Sequence, residues 1–242
     1  MIEVMNLSKQ FKDVKAVDNL NFTINDGEIV GLLGENGAGK TTTLRIISTM
    51  IKCTGGTVKV NGVDINKESS KVRSQIGILF GGEVGLYDRL TARENIRYFA
   101  ELNGMTKDAA DESIKNLSEE LQMTEYMDRR IGKFSRGMKQ KVAIARSIVH
   151  EPKVILLDEP TAGLDVSSSR LIHDFIKNCK KQNKAIVFSS HSMEEVQKLC
   201  DRIIIIHKGK MVEQGTINEL KAKYNSDDME QIFMNLVGDK NE

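Results

Sequence analysis

The run Gly34-Glu35-Asn36-Gly37-Ala38-Gly39-Lys40-Thr41 constrains this chain more than any other part of it. It fits G-x-x-x-x-G-K-[ST] and lies between an apolar stretch ending at Leu33 and residues 41–50, which follow a helical pattern. The spacing predicts a strand, a glycine-rich loop and a helix. Such a loop lets backbone N–H groups turn inward as an anion nest, which the helix N-terminus behind it reinforces. Lys40 is placed to reach the β- and γ-phosphates of a nucleotide and Thr41 to hold Mg²⁺ through its hydroxyl, with Thr42 in the same cradle. The bland alternative, a glycine-rich turn capping a helix, does not need this spacing. The pattern arises by chance in roughly one chain in a hundred of this length.

Around this loop strands and helices alternate. Residues 2–5 and 17–24 read as strands, Asn25-Asp26-Gly27 as a turn, and 28–33 and 76–80 as buried strands. Residues 57–60 form a short strand before Asn61-Gly62. From about 90 to 150 the pattern is helical. Thr91-Ala92-Arg93-Glu94 is a capping-box sequence opening a helix with Ile96, Phe99 and Leu102 on one face. Residues 108–121 place Ile114, Leu117 and Leu121 together, and 136–149 form a third helix. Beyond Glu151-Pro152, segments 154–157, 167–181, 185–188, 193–199 and 203–206 alternate strand and helix, and 218–237 read as a helical tail. Alternation of this kind predicts a parallel sheet covered by helices. The expected fold is therefore α/β: a P-loop core with a mostly parallel sheet, an amino-terminal antiparallel β subdomain and an inserted helical subdomain. The nucleotide-binding domain is expected to span 1–215, with the insertion at about 84–150 and the tail at 216–242.

Composition limits the other possibilities. The 242 residues suit one large domain, and 40% apolar with 29% charged residues is a globular balance. A net charge of +1 gives no general footprint for nucleic acid, and no nucleic-acid partner is expected. Cys53, Cys179 and Cys200 are odd in number and widely spaced, which favours reduced thiols over a metal or disulfide framework. No amino-terminal signal is read, since the chain opens directly on a strand pattern. A spanning helix needs about 20 consecutive apolar residues, and no run approaches that. Any transport role therefore needs a separate membrane partner.

A second site is readable in Val154-Ile155-Leu156-Leu157-Asp158-Glu159. Four apolar residues then two acids describe a strand buried on both faces, with the acids at its carboxyl end, where open α/β sheets bind ligands. Asp158 is placed to coordinate Mg²⁺, and Glu159 to orient and polarise the attacking water as general base. Alone this pattern is weak, because strands often end in acids before a proline turn. The phosphate loop upstream strengthens it. Together the two define a P-loop nucleoside triphosphatase.

The residues that follow narrow the class. Phe134-Ser135-Arg136-Gly137-Met138-Lys139-Gln140-Lys141 resembles the Leu-Ser-Gly-Gly-Gln signature of ATP-binding cassette proteins. Ala162-Gly163-Leu164-Asp165 resembles their D-loop, and His191 stands where their switch histidine stands. The resemblance covers nearly the whole chain, with the motifs in order. It implies an ATPase that closes on a second copy of itself as an ATP sandwich and works on an integral membrane permease. It also implies that Ser135, Arg136, Gly137 and Met138 face the γ-phosphate held by the opposite subunit, that His191 contacts the γ-phosphate, and that Phe11 is the adenine platform. The residues agree in part: a serine at a helix N-terminus beside a glycine makes a second anion site, although Ser135 would be an ordinary N-cap in either case. His191 is followed by Ser192 and Glu195, themselves a capping-box pair.

Two departures from the family pattern stand out. The glutamine that normally follows the strand at residues 76–80 is replaced by Gly81, then Gly82 and Glu83. Either Glu83 substitutes for it or the backbone carries the coupling. In the signature, Arg136 replaces a glycine and Met138 a glutamine. The Ser-x-Gly-Met-Lys-Gln form resembles the export branch. With Gly81-Gly82 and the run Leu86-Tyr87-Asp88-Arg89-Leu90-Thr91, it resembles the ATPase subunits of sodium-extruding exporters. The implied setting is the cytoplasmic face of the cell membrane, with substrate passing through another chain. The region 81–150 is the candidate docking face for that chain. A soluble cassette of the iron–sulfur assembly type is the alternative. DNA-repair cassettes need a long coiled-coil insertion that roughly 90 residues between Lys40 and Ser135 do not accommodate, and translation cassettes usually carry two copies per chain.

Overall fold

The computed structural model describes residues 1–81 and 85–238. Its first strands are β1 (Ile2–Phe11), β2 (Val14–Ile24) and β3 (Ile29–Leu33), and α1 (Lys40–Ile47) follows the glycine-rich loop. Then come β4 (Gly55–Val60), β5 (Val63–Asp64), α2 (Ser69–Arg73) and β6 (Ile76–Leu79). Among the described residues three α-helices, with two single 3-10 turns before the last, separate β6 from the next strand: α3 (Ala92–Leu102), α4 (Lys107–Glu120) and α5 (Arg136–Ile148). The remainder is β7 (Val154–Asp158), α6 (Val166–Lys181), β8 (Ala185–Ser189), α7 (Met193–Leu199), β9 (Arg202–His207), β10 (Lys210–Gly215), α8 (Ile217–Tyr224) and α9 (Met229–Val237).

Two sheets result. The antiparallel one runs β2-β1-β4-β5 and the larger one β10-β9-β3-β8-β7-β6. Every pairing in the larger sheet is parallel except that of β10 with β9. Strands β3, β7 and β8 are buried throughout, because both faces of this sheet are covered. The side chains of β3 divide the interior. Ile29 and Leu33 join a core with α3 to α6, whereas Val30 and Leu32 face α1 and the antiparallel sheet. This register brings the carboxyl ends of β3, β7 and β8 side by side, so the phosphate loop, Asp158-Glu159 and His191 emerge on one edge. The expected fold class holds.

Four local expectations are corrected. On α3 the buried seam is Ala92, Ile96 and Ala100, while Leu102 is 63% exposed as the last residue of the helix. The first helix ends at Ile47, and Thr49 with φ 65° turns the chain where a longer helix was expected. The tail is two helices, because Asn225 adopts a left-handed conformation (φ 47°) that ends α8. Strand β10 was not anticipated: an edge strand carrying Lys210, Glu213 and Gln214 lacks the apolar run that marks its neighbours. Cys179 and Cys200 are buried thiols, unpaired, as is Cys53.

Candidate functional site

Lys40 and Thr41 begin α1 because Gly39 supplies the turn before them. Its φ is 111°, and a Cβ there would sit 2.5 Å from the Ala16 carbonyl of β2, so only glycine fits. Lys40 is 6% exposed, and its Nζ donates to the carbonyls of Gly34 at 2.6 Å and Glu35 at 3.0 Å. Burial pushes its ammonium down from the ordinary value, opposed by the charges of Glu159, Asp158 and Glu35. The cradle of Gly34 to Thr42, with buried Ala38 and half-buried Thr42, is therefore closed around one cation.

Asp158 joins this cradle to the neighbouring strands. The Thr41 hydroxyl donates to its Oδ2 at 2.8 Å and the Ser189 hydroxyl to its Oδ1 at 2.5 Å. Glu159 follows with φ 50°, a left-handed conformation that costs a non-glycine residue about 1–3 kcal/mol. It is held there by its N–H, which donates to both the carbonyl and the hydroxyl of Ser189 at 3.1 Å. The turn swings the Glu159 side chain to His191, whose Nε2 lies 2.5 Å from Oε1. The two groups expected to carry the chemistry thus touch.

Several residues that sequence reasoning missed support this pair. Ser189 is one. Glu195 is another: its carboxylate accepts from the Ser190 hydroxyl at 2.7 Å and from His173 Nε2 at 3.0 Å, and also from Thr161. Burial alone would push this carboxyl up, yet those hydrogen bonds outweigh it and hold it below the ordinary value. Only half of the expected capping box forms at α7. The Glu195 N–H donates to Ser192 Oγ at 3.3 Å, but the Ser192 N–H goes to Ser190 Oγ at 3.0 Å and leaves the carboxylate for other partners. A buried serine after an apolar strand was the readable signal for Ser189, whereas nothing in the local pattern marks the long-range partners of Glu195.

The remaining candidates lie on other elements. Ser135 caps α5, accepting from the Met138 N–H at 3.2 Å. Arg136 is exposed and lays its guanidinium on Gly163, a left-handed glycine (φ 68°) with no Cβ to obstruct it. Gly137 lies against Ser168, and Met138 packs partly on the core. Gln140 of the same helix donates to the Pro160 carbonyl at 2.5 Å, a link between α5 and the Glu159 segment that sequence reasoning also missed. Asp165 caps α6, taking the Ser167 hydroxyl at 2.6 Å and the Ser168 N–H and hydroxyl at 2.9 and 2.8 Å. These bonds hold its carboxyl well below the usual range. Phe11, 46% exposed under the ammonium of Lys9, ends the strand paired with β2, whose Ala16 touches the phosphate loop. Gly81 sits beside the Asp158 carbonyl, 3.1 Å from where its Cβ would be; Gly82 and Glu83 lie outside the described residues.

The oxygen donors at Thr41 and Asp158 suit Mg²⁺, a hard cation usually held by one or two protein oxygens with the rest from phosphate and water. Among the described residues no cluster of three His, Cys, Asp or Glu side chains could hold a metal alone.

A parallel sheet whose carboxyl edge carries a phosphate loop, an Asp-Glu pair and a histidine in contact with it defines a P-loop nucleoside triphosphatase. The ABC transporter family pattern matches residues 17–162. The ABC transporter ATP-binding protein NatA of Bacillus subtilis (strain 168) is 48% identical over 238 residues, 97% of each chain. Among solved structures, an ATP-binding subunit of an ABC transporter superposes with a TM-score of 0.90 at 26% identity, covering 98% of this chain and 99% of that one. The ATP-binding cassette MJ0796, in a dimeric post-hydrolysis state with ADP and Pi, gives 0.81 at 27% identity, covering 89% and 98%. The chain belongs to the ABC transporter family and is an ATP-binding, ATP-hydrolysing subunit of it.

Proposed function

We propose that this chain powers efflux through a separate membrane permease by closing, with ATP, on a second copy of itself. The observation that carries the reading is the contact between Glu159 and His191 at the edge of the phosphate cradle. In this scheme the nest of Gly34 to Gly39 and Lys40 bind the phosphates and Phe11 stacks on the adenine. Thr41 and Asp158 would hold Mg²⁺, which when bound neutralises phosphate charge. Glu159 accepts the proton of the attacking water, and His191 holds both that carboxylate and the γ-phosphate in register. Ser135, Arg136, Gly137 and Met138 of the second copy close over the phosphate from the far side, and Asp165 shapes the contact between copies.

The permease would dock on the surface around α3. Tyr87, Tyr98 and Leu102 are exposed there at 49, 42 and 63%. The two tyrosine rings meet edge to face at 5.7 Å. Buried Asn95 holds Tyr87 by two hydrogen bonds, 2.8 and 3.1 Å, so the patch is built rather than loose. Among the described residues no helix is long and apolar enough to cross a membrane, which leaves the substrate path to that partner. The likeness of Gly81-Gly82 and the 86–91 run to sodium-extruding exporters favours Na⁺ as cargo and the cytoplasmic membrane face as location.

Tagging the chain in its host and purifying it in mild detergent tests the reading. A polytopic membrane protein in equal amount, which in inverted vesicles accumulates ²²Na⁺ when ATP is added, is expected. A soluble scaffold with no membrane protein would overturn the exporter reading, and a permease complex without Na⁺ accumulation would overturn the cargo alone.

A further inference from the structure

We propose that Glu195 is a positioning residue for hydrolysis, bracing together the two loops that carry Glu159 and His191. Among the described residues the Glu195 carboxylate makes no hydrogen bond to the phosphate loop or to the pair itself. It binds beside them: Thr161 is two residues past Glu159, and Ser190 is the residue before His191. Ser190 extends the brace to the far side of the histidine, since its hydroxyl also accepts the Ser192 N–H at 3.0 Å. The third partner, His173, lies on α6, whose N-cap is Asp165. One carboxylate therefore ties the segment after the general base, the switch-histidine loop and the helix that follows the D-loop.

Burial argues that this is built. Thr161 and Ser190 are each 6% exposed, and the side chains of Glu195 and His173 are 17 and 15% exposed. A buried carboxylate without such partners would cost several kcal/mol. A capping role does not explain it either, because the carboxylate makes no bond to the Ser192 N–H. These loops enclose a cavity of about 290 Å³ bordered by Glu159, Thr161, Gly163, His191 and Glu195. A carboxylate on its wall sets how far apart the Glu159 and His191 loops stand, and misplacing a catalytic group by about 1 Å costs up to roughly a hundredfold in rate.

The inference rests on the assignment of Glu159 and His191, so Glu159→Gln is measured beside Glu195→Gln and Thr161→Val. The expected result for Glu195→Gln is a kcat lowered about ten- to a hundredfold, with the KM for ATP and the affinity for a fluorescent ATP analogue within about twofold of wild type. Thr161→Val, which removes one donor and keeps the shape, is expected to lower kcat less, and to have no further effect in the Glu195→Gln background. If Glu195→Gln does not fold, Thr161→Val alone decides, and an unchanged kcat overturns the proposal. Equal losses in kcat and nucleotide affinity would mark Glu195 as structural and also overturn it. Wild-type turnover by Glu159→Gln would overturn the site assignment and this inference together. An inactive Glu159→Gln beside a fully active Glu195→Gln removes the inference only.

Discussion

The two ends of the candidate site are built differently. At the carboxyl edge of β3, β7 and β8, the functional groups are bonded to one another: Lys40 to two loop carbonyls, Thr41 and Ser189 to Asp158, and His191 to Glu159. At the start of α5 the bonding is sparse. The Ser135 hydroxyl makes the cap bond, Arg136 is exposed, and the helix's own first turn carries no acid. Lys139 is paired with Asp88 at 3.2 Å, but exposed Arg136 adds a further cation to a helix N-terminus that already carries positive partial charge and has no carboxylate in its own first turn. The first region is organised within one chain, while the second, under the proposed function, meets a second copy. That contrast is what an ATP sandwich needs: one half-site that binds, and another that closes.

The largest effect should fall on the bonded region. Glu159→Gln keeps the shape but removes the base, and turnover should drop about 10³-fold with ATP still bound. Size-exclusion chromatography with ATP should then show an accumulated dimer. Wild-type turnover would remove Glu159 from the role of base and dissolve the contrast.

Ser135→Arg probes the other region. In the Glu159→Gln background it should abolish the ATP-dependent dimer, because a third cation and a bulky side chain enter the surface meant to close. Binding of ATP to the isolated chain should change less than about twofold, since Ser135 is exposed and not part of the cradle of residues 34–42, and surface substitutions are usually small in effect. If the double variant still dimerises with ATP, the exposed turn of α5 is not the closing surface. Lys40→Ala then sharpens the comparison from the opposite direction. Charged hydrogen bonds contribute about 1.5–3 kcal/mol each, so nucleotide affinity should fall about ten- to a hundredfold by equilibrium titration. Undiminished affinity would count against the cradle.

The same contrast governs what could be read beforehand. Features set by neighbours in sequence were legible: the glycine-rich turn before Lys40, the Thr91–Glu94 capping box, and the buried runs that became β3, β7 and β8. Features set by distant partners were not. Leu102 has the helical spacing of a core residue, but it is mostly exposed at the end of its helix. Glu195 has the spacing of a capping residue, yet Ser190 takes over its capping task and frees it for Thr161 and His173. Strand β10 is polar because one side of it is an edge, so periodicity alone could not separate it from a loop.

The smallest expected effect concerns acid stability, and it isolates one bonded group. The Glu195 carboxyl lies below its ordinary value of 4.5 because the His173, Ser190 and Thr161 hydrogen bonds outweigh burial. A carboxyl depressed in the folded state contributes stability that is complete above its unfolded value and is lost as pH falls through the folded one. The facing titratable groups are His173 across the bond and Glu194 on the same helix. Wild-type thermal stability should therefore decline as pH falls from about 5 to about 3 more steeply than that of Glu195→Gln, which has no proton to take up at this position. Other carboxyls titrate in the same range, but they do so in both proteins, and the difference between the two melting curves belongs to Glu195. Parallel curves would mean that the brace does not favour the ionised form, and the carboxylate would then share the loosely held character of the α5 turn.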